Sequence, residues 1–180
     1  MWKSTSELIQ HILVAQSNLA NSYQSLGRLE KALDLKRDAY SGLLKVYGKE
    51  HRETLAAAFN YAISLQDLER FKEARSLLRK VISVARRVLG EEHDLTLKLR
   101  WNYAAALLND TSATLDDLRE AVIRLEDLER TARRVMGGAH PLITEIERSL
   151  RNGRAALAAR VGGGVSSVCE GVAAMTAKGA

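Results

Sequence analysis

Three histidines stand in related positions of the chain and are the first residues that could do chemistry. His51, His93 and His140 lie in YGKEHRETL, LGEEHDLTL and MGGAHPLIT, each three residues after a glycine. Imidazoles can bind zinc, which needs its ligand atoms about 2.0–2.3 Å from one centre. Equivalent residues on packed helical units lie roughly 8–10 Å apart or more. We therefore predict that each ring bonds the backbone of its own loop and that no metal is bound.

The other candidate catalytic groups do not form a constellation. Glu91–Glu92 and Asp116–Asp117 are adjacent pairs, which do not face each other on a helix, and we place both at helix starts, where the macrodipole favours acids. Cys169 is the single cysteine and has no histidine near it in the sequence. The run VGGGV lacks the spacing of a phosphate-binding loop. We expect neither an enzyme nor a cofactor.

Composition and charge restrict the class of protein further. The chain of 180 residues suits one domain, and 46% apolar with 27% charged residues is ordinary for a soluble protein. No apolar run approaches the ~18 residues of a membrane helix, and the N-terminus does not resemble a signal peptide. We expect a cytoplasmic protein that does not bind membranes. The net charge of +5 favours acidic partners or nucleic acid.

The histidine phrase belongs to an internal repeat. The first two copies are 42 residues apart and the third follows after 47, with the extra residues in NDTSATLDD. Each unit contains two segments with helical apolar spacing. We predict a lead-in at 1–7, a repeat domain at 8–159 and a flexible Gly/Ala/Ser-rich tail at 160–180. The repeat domain divides into units 8–50, 51–92 and 93–139 and a terminal helix at 140–159.

Small and special residues recur at fixed places in these units. Gly48, Gly90 and Gly137 are expected to end the second helix of each unit in a left-handed conformation. Thr54 or Asp94 is expected to cap the helix that follows. Alanines should let paired helices approach closely, and they recur in register at Ala20, Ala62 and Ala104 and at Ala32, Ala74 and Ala121.

The segment NLANSYQSLGRLEKA resembles a tetratricopeptide repeat. The common repeat has ~34 residues; the 42-residue length and the Gly-x-x-His phrase here resemble the kinesin light-chain type. The resemblance implies an all-α, right-handed TPR-type helical-hairpin solenoid with three complete helix pairs plus a terminal helix. It also implies a non-enzymatic adaptor or scaffold that holds a peptide or a partner helix in a concave groove.

In this family the first helix of each pair lines the groove, and an asparagine there commonly holds the backbone or carboxylate of a bound peptide. The resemblance therefore implies a protein or peptide ligand, acidic if the basic groove residues pair with it. Three alternatives stay open: the asparagines bond neighbouring helices, the tryptophan packs between helices, and the basic residues are solvated. The predicted groove residues are Asn18, Asn21, Phe59, Asn60, Ile63, Lys98, Trp101, Asn102 and Arg148.

Three further hypotheses compete with the adaptor. The chain is the recognition arm or a fragment of a larger multidomain enzyme or receptor, or it associates with itself through its terminal repeats. In the third, a basic surface binds nucleic acid, since arginines crowd the second helices at Arg86, Arg87, Arg133 and Arg134. Glutamates interleave them, so we expect a salt-bridged surface and no nucleic acid.

Overall fold

The structure, a computed structural model, is entirely helical in the part of the chain that it describes. It describes the backbone of residues 5–176 and the side chains of residues 11–13 and 15–162. No strand occurs in that backbone, which confirms the predicted all-α class. Its helices are α1 (Thr5–Ser25), α2 (Leu29–Tyr47), α3 (Arg52–Asp67), α4 (Phe71–Leu89), α5 (Asp94–Leu108), α6 (Leu115–Met136) and α7 (Pro141–Thr176).

Helix bounds follow the repeat closely inside the domain and depart from it at the ends. The five-residue excess of the third unit lies around the α5–α6 connection at 109–114, where a loop was expected. Helix α1 begins at Thr5, before the expected start at residue 8, and α7 continues past residue 159 to Thr176. The predicted flexibility of 160–180 stays a prediction, and the side chain of Cys169 lies outside the described residues.

The chain divides into two compact units at residues 106 and 107. In the first unit, α1 packs on α2, α2 on α3, and α3 on α4. Leu13, Leu43 and Ala57 belong to one core cluster of this unit, and Leu33 and Leu65 belong to another. In the second unit α6 packs on α7.

The predicted small-residue contacts are confirmed. The repeated alanines at positions 20, 62, 104, 74 and 121 have no exposed surface, and the one at position 32 has 1%. In the second unit Gly153 plays a comparable part, because a Cβ there would lie 3.1 Å from Leu108 and 3.2 Å from Val122. These small residues let the helices approach each other closely and bury little surface themselves.

Glycines end the second helices, but with a different backbone from the one expected. Gly48, Gly90 and Gly137 have φ of 81°, 95° and 76°, as predicted, while ψ is 174°, 162° and 158°. The expected left-handed helical conformation is therefore wrong at these three sites. A positive φ with an extended ψ is accessible essentially only to glycine, and it turns the chain out of the helix.

The histidines, and not Thr54 or Asp94, cap the helices that follow them. Imidazole Nδ1 accepts the backbone N–H two residues further on, at 3.3 Å in His51, 3.1 Å in His93 and 3.2 Å in His140. The prediction that each ring closes its own loop is confirmed. The prediction for Thr54 is wrong because the helix has already begun at Arg52, which buries the threonine to 1% exposure.

Acidic residues behave as predicted at one helix start and not at the other. Thr114 and Asp117 form a reciprocal capping box at the start of α6, and Asp116 also lies in its first turn. Glu91 precedes α5 and instead pairs with Arg86 and Arg100, so its assignment to a helix start was wrong. None of the helices in the described part is both long and apolar enough to cross a membrane.

Candidate functional site

The first unit contains an open cleft between α1 and α3, which we call the α1–α3 cleft. It has a volume of about 420 Å³. Its apolar floor includes Leu13, Leu43 and Ala57, which belong to the core. Polar groups from the two helices line the rest: His11, Ser17, Asn18, Glu53 and Asn60. The cleft thus combines an apolar base with several hydrogen-bonding groups.

Two amides in this cleft lack partners. Asn18 on α1 and Asn60 on α3 are exposed, and in the described part of the chain neither side chain makes a hydrogen bond. Each amide has two N–H donors and an acceptor oxygen. Their spacing of 42 residues puts equivalent groups of two successive repeats on the same cleft. Glu53 differs, since it already pairs with Arg52 at 3.2 Å.

The third equivalent asparagine has a structural task. Asn102 is 5% exposed, and its Oδ1 accepts a hydrogen bond from Nε2 of Gln66 on α3. The same nitrogen lies 3.4 Å from the backbone oxygen of Asn102. A buried amide with its partner is a contact between repeats. Among the three asparagines, the alternative that they bond neighbouring helices therefore describes Asn102.

A charged network explains why the equivalent glutamine does not pair with Asn60. Gln24 stands one repeat before Gln66, yet its Oε1 accepts from Lys36 Nζ at 2.6 Å and its Nε2 donates to Asp67 Oδ2 at 2.6 Å. We call these three residues the Lys36 network. Both hydrogen-bonding ends of Gln24 are thereby occupied by Lys36 and Asp67.

Burial changes the pKa of both charged members of this network. It lowers the pKa of the Lys36 amine, and the nearby Asp67 carboxylate opposes that change. It raises the pKa of the Asp67 carboxyl, and Lys36 opposes that change in turn. Desolvation is the larger cause for both groups, so the charged form of each is less favourable here than in water.

The remaining predicted groove residues are not part of the α1–α3 cleft. Asn21 is exposed on α1, and Phe59 and Ile63 are half-buried on α3. Lys98 and Arg148 pair on their own helices, with Asp94 at 2.7 Å and Glu145 at 2.9 Å. Trp101 is half-buried on α5. The groove roles of these residues stay predictions.

The sequence analysis did not single out Lys36 and Asp67. These two residues distinguish the contact between the first and second repeats, at Gln24, from the contact between the second and third, at Gln66 and Asn102. Lys36 is 5% exposed in a helix whose other inward positions are apolar. One repeat later the corresponding residues are Leu78 and, for Asp67, Asn109. The change from a charged pair, Lys36 and Asp67, to an uncharged pair, Leu78 and Asn109, was the sequence feature that could have indicated the difference. It became informative only once both residues were placed beside Gln24.

The basic helices carry a salt-bridged surface, as predicted. Arg87 on α4 pairs with Glu50 at 2.7 Å and lowers the pKa of that carboxyl. Arg133 on α6 pairs with Glu129 at 3.0 Å and with Glu147. Such pairs leave less uncompensated charge for a phosphate backbone. No cluster of three or more His, Cys, Asp or Glu suited to a metal ion occurs among the described residues.

Paired helices that repeat every 42 residues, with glycine ends and histidine caps, define a helical-hairpin repeat protein. The family model described as tetratricopeptide repeat matches residues 11–84 and 54–127. The chain belongs to the tetratricopeptide repeat family. The family supports a scaffold for protein interaction.

Solved structures extend the similarity to nearly the whole chain. A candidate kinesin light chain of Podosopora anserina with nearly identical TPR-like repeats is 25% identical, with a TM-score of 0.66 over 92% of this chain and 75% of that chain. A single-substitution variant of it gives 24% and 0.68 over the same shares. BtubC (BKLC) of P. vanneervenii is 15% identical, with a TM-score of 0.63 over 88% and 66%, and shows the fold alone. Among curated proteins none matches the sequence significantly.

Proposed function

We propose that this protein is a non-enzymatic adaptor that holds an extended peptide segment of a partner protein in the α1–α3 cleft. The observation that carries the proposal is the pair of amides, Asn18 and Asn60, which have no partner in the described part of the chain and stand on equivalent positions of successive repeats. A peptide backbone offers alternating N–H and C=O groups, which two amides can bond in sequence. The apolar floor of the cleft can receive a side chain of the same peptide.

The chemistry of the cleft favours recognition of the peptide main chain. Among the described residues that line it, the one carboxylate, Glu53, is paired with Arg52, and the asparagines are neutral. We also propose that the ligand is acidic, because the chain has a net positive charge. Lys98 can pair with such a ligand. Its exposed i,i+4 pair with Asp94 contributes only about 0.3–0.5 kcal/mol and can be displaced. A cytoplasmic location is proposed from composition.

The test begins with a random peptide library displayed on phage and selected on the full chain. The best peptide is then synthesised and its affinity is measured by fluorescence polarisation. We expect Asn18→Ala and Asn60→Ala each to weaken binding about tenfold, as the loss of a hydrogen bond in a desolvated site implies.

Asn109→Ala is the matched control, because Asn109 is an exposed asparagine that does not line the cleft. It should change the affinity less than about twofold. Equal affinity for the wild type and the Asn18→Ala/Asn60→Ala variant, at equal helicity by circular dichroism, would contradict the proposal. The selected peptide would then bind elsewhere.

A further inference from the structure

A second, smaller pocket opens between α2 and α4, with α3 at its base, and we call it the α2–α4 pocket. Its volume is about 240 Å³. The residues that line it are mainly apolar and come from all three helices. Two lysines at its rim carry charge, and two side chains, Tyr40 and Thr54, carry hydroxyls. The lining residues are Tyr40, Leu44, Lys49, Thr54, Leu55, Ala58, Lys80, Val81 and Val84.

The two lysines are not used by the fold. Lys49 follows α2, and Lys80 lies on α4; both are exposed. In the described part of the chain neither ammonium forms a salt bridge or a hydrogen bond. By contrast, Arg70, which precedes α4, pairs with Glu73, and Arg87 on α4 pairs with Glu50. Two uncommitted cations beside an apolar pocket form a site for a group that is apolar and anionic at once.

The repeat itself shows that these lysines are not part of the scaffold. One repeat earlier, the corresponding positions hold Glu7 and Asp38. One repeat later they hold Glu91 and, after the five-residue insertion, Asp127. The fold therefore accepts acids at both places. The charge has the opposite sign only where it flanks this pocket.

The interior of the pocket has one buried polar atom. Thr54 is 1% exposed, and its hydroxyl has no hydrogen-bond partner. Tyr40 lies on the pocket wall, and burial, with Tyr61 nearby, raises the pKa of its phenol, which keeps it protonated as a donor. Both hydroxyls are able to bond an oxygen of a ligand.

We propose that the α2–α4 pocket binds a small amphipathic carboxylate, with its hydrocarbon part against Leu55, Val81 and Val84 and its carboxylate at Lys49 and Lys80. The size supports a small ligand, because drug-sized sites occupy about 300–1,000 Å³. Burial of a hydrocarbon chain contributes about 25 cal/mol per Å² removed from water. The lysines select the anion over neutral molecules of the same shape.

The test uses octanoate as the probe and isothermal titration calorimetry of the full chain at low ionic strength. We expect saturable binding, with shifts of the Val81 and Val84 methyl signals in NMR spectra. Lys49→Gln/Lys80→Gln should bind octanoate at least about tenfold more weakly. Octanol, which has the same chain without the charge, should also bind about tenfold more weakly to the wild type.

Lys45→Gln/Lys72→Gln is the matched control. It removes two exposed lysines of α2 and α4 outside the pocket and should change the affinity less than about twofold. Equal weakening by both variants would overturn the proposal in favour of net charge. No saturable binding would also overturn it. A response to the peptide acetyl-Ala-Ala-Leu with its free carboxylate, without one to octanoate, would replace it with a peptide-docking surface.

Discussion

Two contacts between successive repeats use the same residue types and reach opposite outcomes. At the second contact, Gln66 bonds the buried Asn102, and both amides serve the fold. At the first, Lys36 and Asp67 hold Gln24, and Asn60 stays exposed without a partner in the described part of the chain. A repeat can thus convert a scaffold amide into a ligand-binding amide by placing one charged pair behind it.

The largest expected effect is a difference in the free energy of unfolding between the Asn102→Ala and Asn60→Ala variants. Asn102→Ala removes the buried partner of the half-buried Gln66 amide, which should lower the free energy of unfolding by about 1–3 kcal/mol. Asn60→Ala removes an exposed amide that has no partner among the described residues, and it should change the free energy of unfolding by less than about 0.5 kcal/mol. Urea denaturation followed by circular dichroism measures both. Similar losses for the two variants would break the comparison.

Lys36→Leu/Asp67→Asn gives the first contact the residues of the second. Gln24 should then turn to Asn60, and the peptide selected on the wild type should bind about tenfold more weakly, because its amide partner is taken. Stability should stay equal or rise by about 0–2 kcal/mol, since the burial of the Lys36 and Asp67 charges costs desolvation. Fluorescence polarisation and urea denaturation measure the two effects. Unchanged peptide affinity would show that the Lys36 network does not control whether Asn60 can bind the peptide.

The pH dependence of stability isolates Asp67, with Asp67→Asn as the reference. Burial raises the pKa of Asp67 above its ordinary value of 3.8, so its stabilising contribution is full below that value and is lost as pH rises through the folded pKa. The stability of the wild type relative to Asp67→Asn should therefore fall as pH rises from 3.8 through the folded pKa of Asp67. Urea denaturation across the window measures the trend, and a rise would contradict it.

The smallest effect is expected at the surface pair beside the second contact. Lys98 and Asp94 are exposed and one helical turn apart. Lys98→Gln should lower the free energy of unfolding by about 0.3–0.5 kcal/mol, and salt should erase the difference. Thermal denaturation with and without salt measures it. A larger loss would mean that this pair, as well as Gln66 and Asn102, holds the second contact.

Local periodicity was enough to predict the helices, the loop around 109–114, the buried alanines and the role of the histidines. These features depend on residues near in sequence or repeated at a fixed interval. The helix caps show where that reasoning fails. Thr54 has a good capping side chain, but the imidazole of His51 reaches the backbone first and starts the helix earlier.

The candidate site was only partly predictable, because three identical asparagines in register carry no sign of their different tasks. The difference arises from Lys36, Gln24 and Asp67, which come from three helices and meet only in the folded chain. The same limit applies to the α2–α4 pocket, where Lys49 and Lys80 converge from separate segments. The spacing of residues within one helix does not show which residues of different helices lie close together in the folded chain.

The most direct test of the account is a crystal structure of the Lys36→Leu/Asp67→Asn variant. In this variant, Gln24 Nε2 should lie about 3 Å from Asn60 Oδ1, in the arrangement that Gln66 and Asn102 already have. Asn60 would then be a scaffold residue. If Gln24 keeps its present direction and the Asn60 amide stays without a partner, the Lys36 network does not decide which asparagine is open to a ligand.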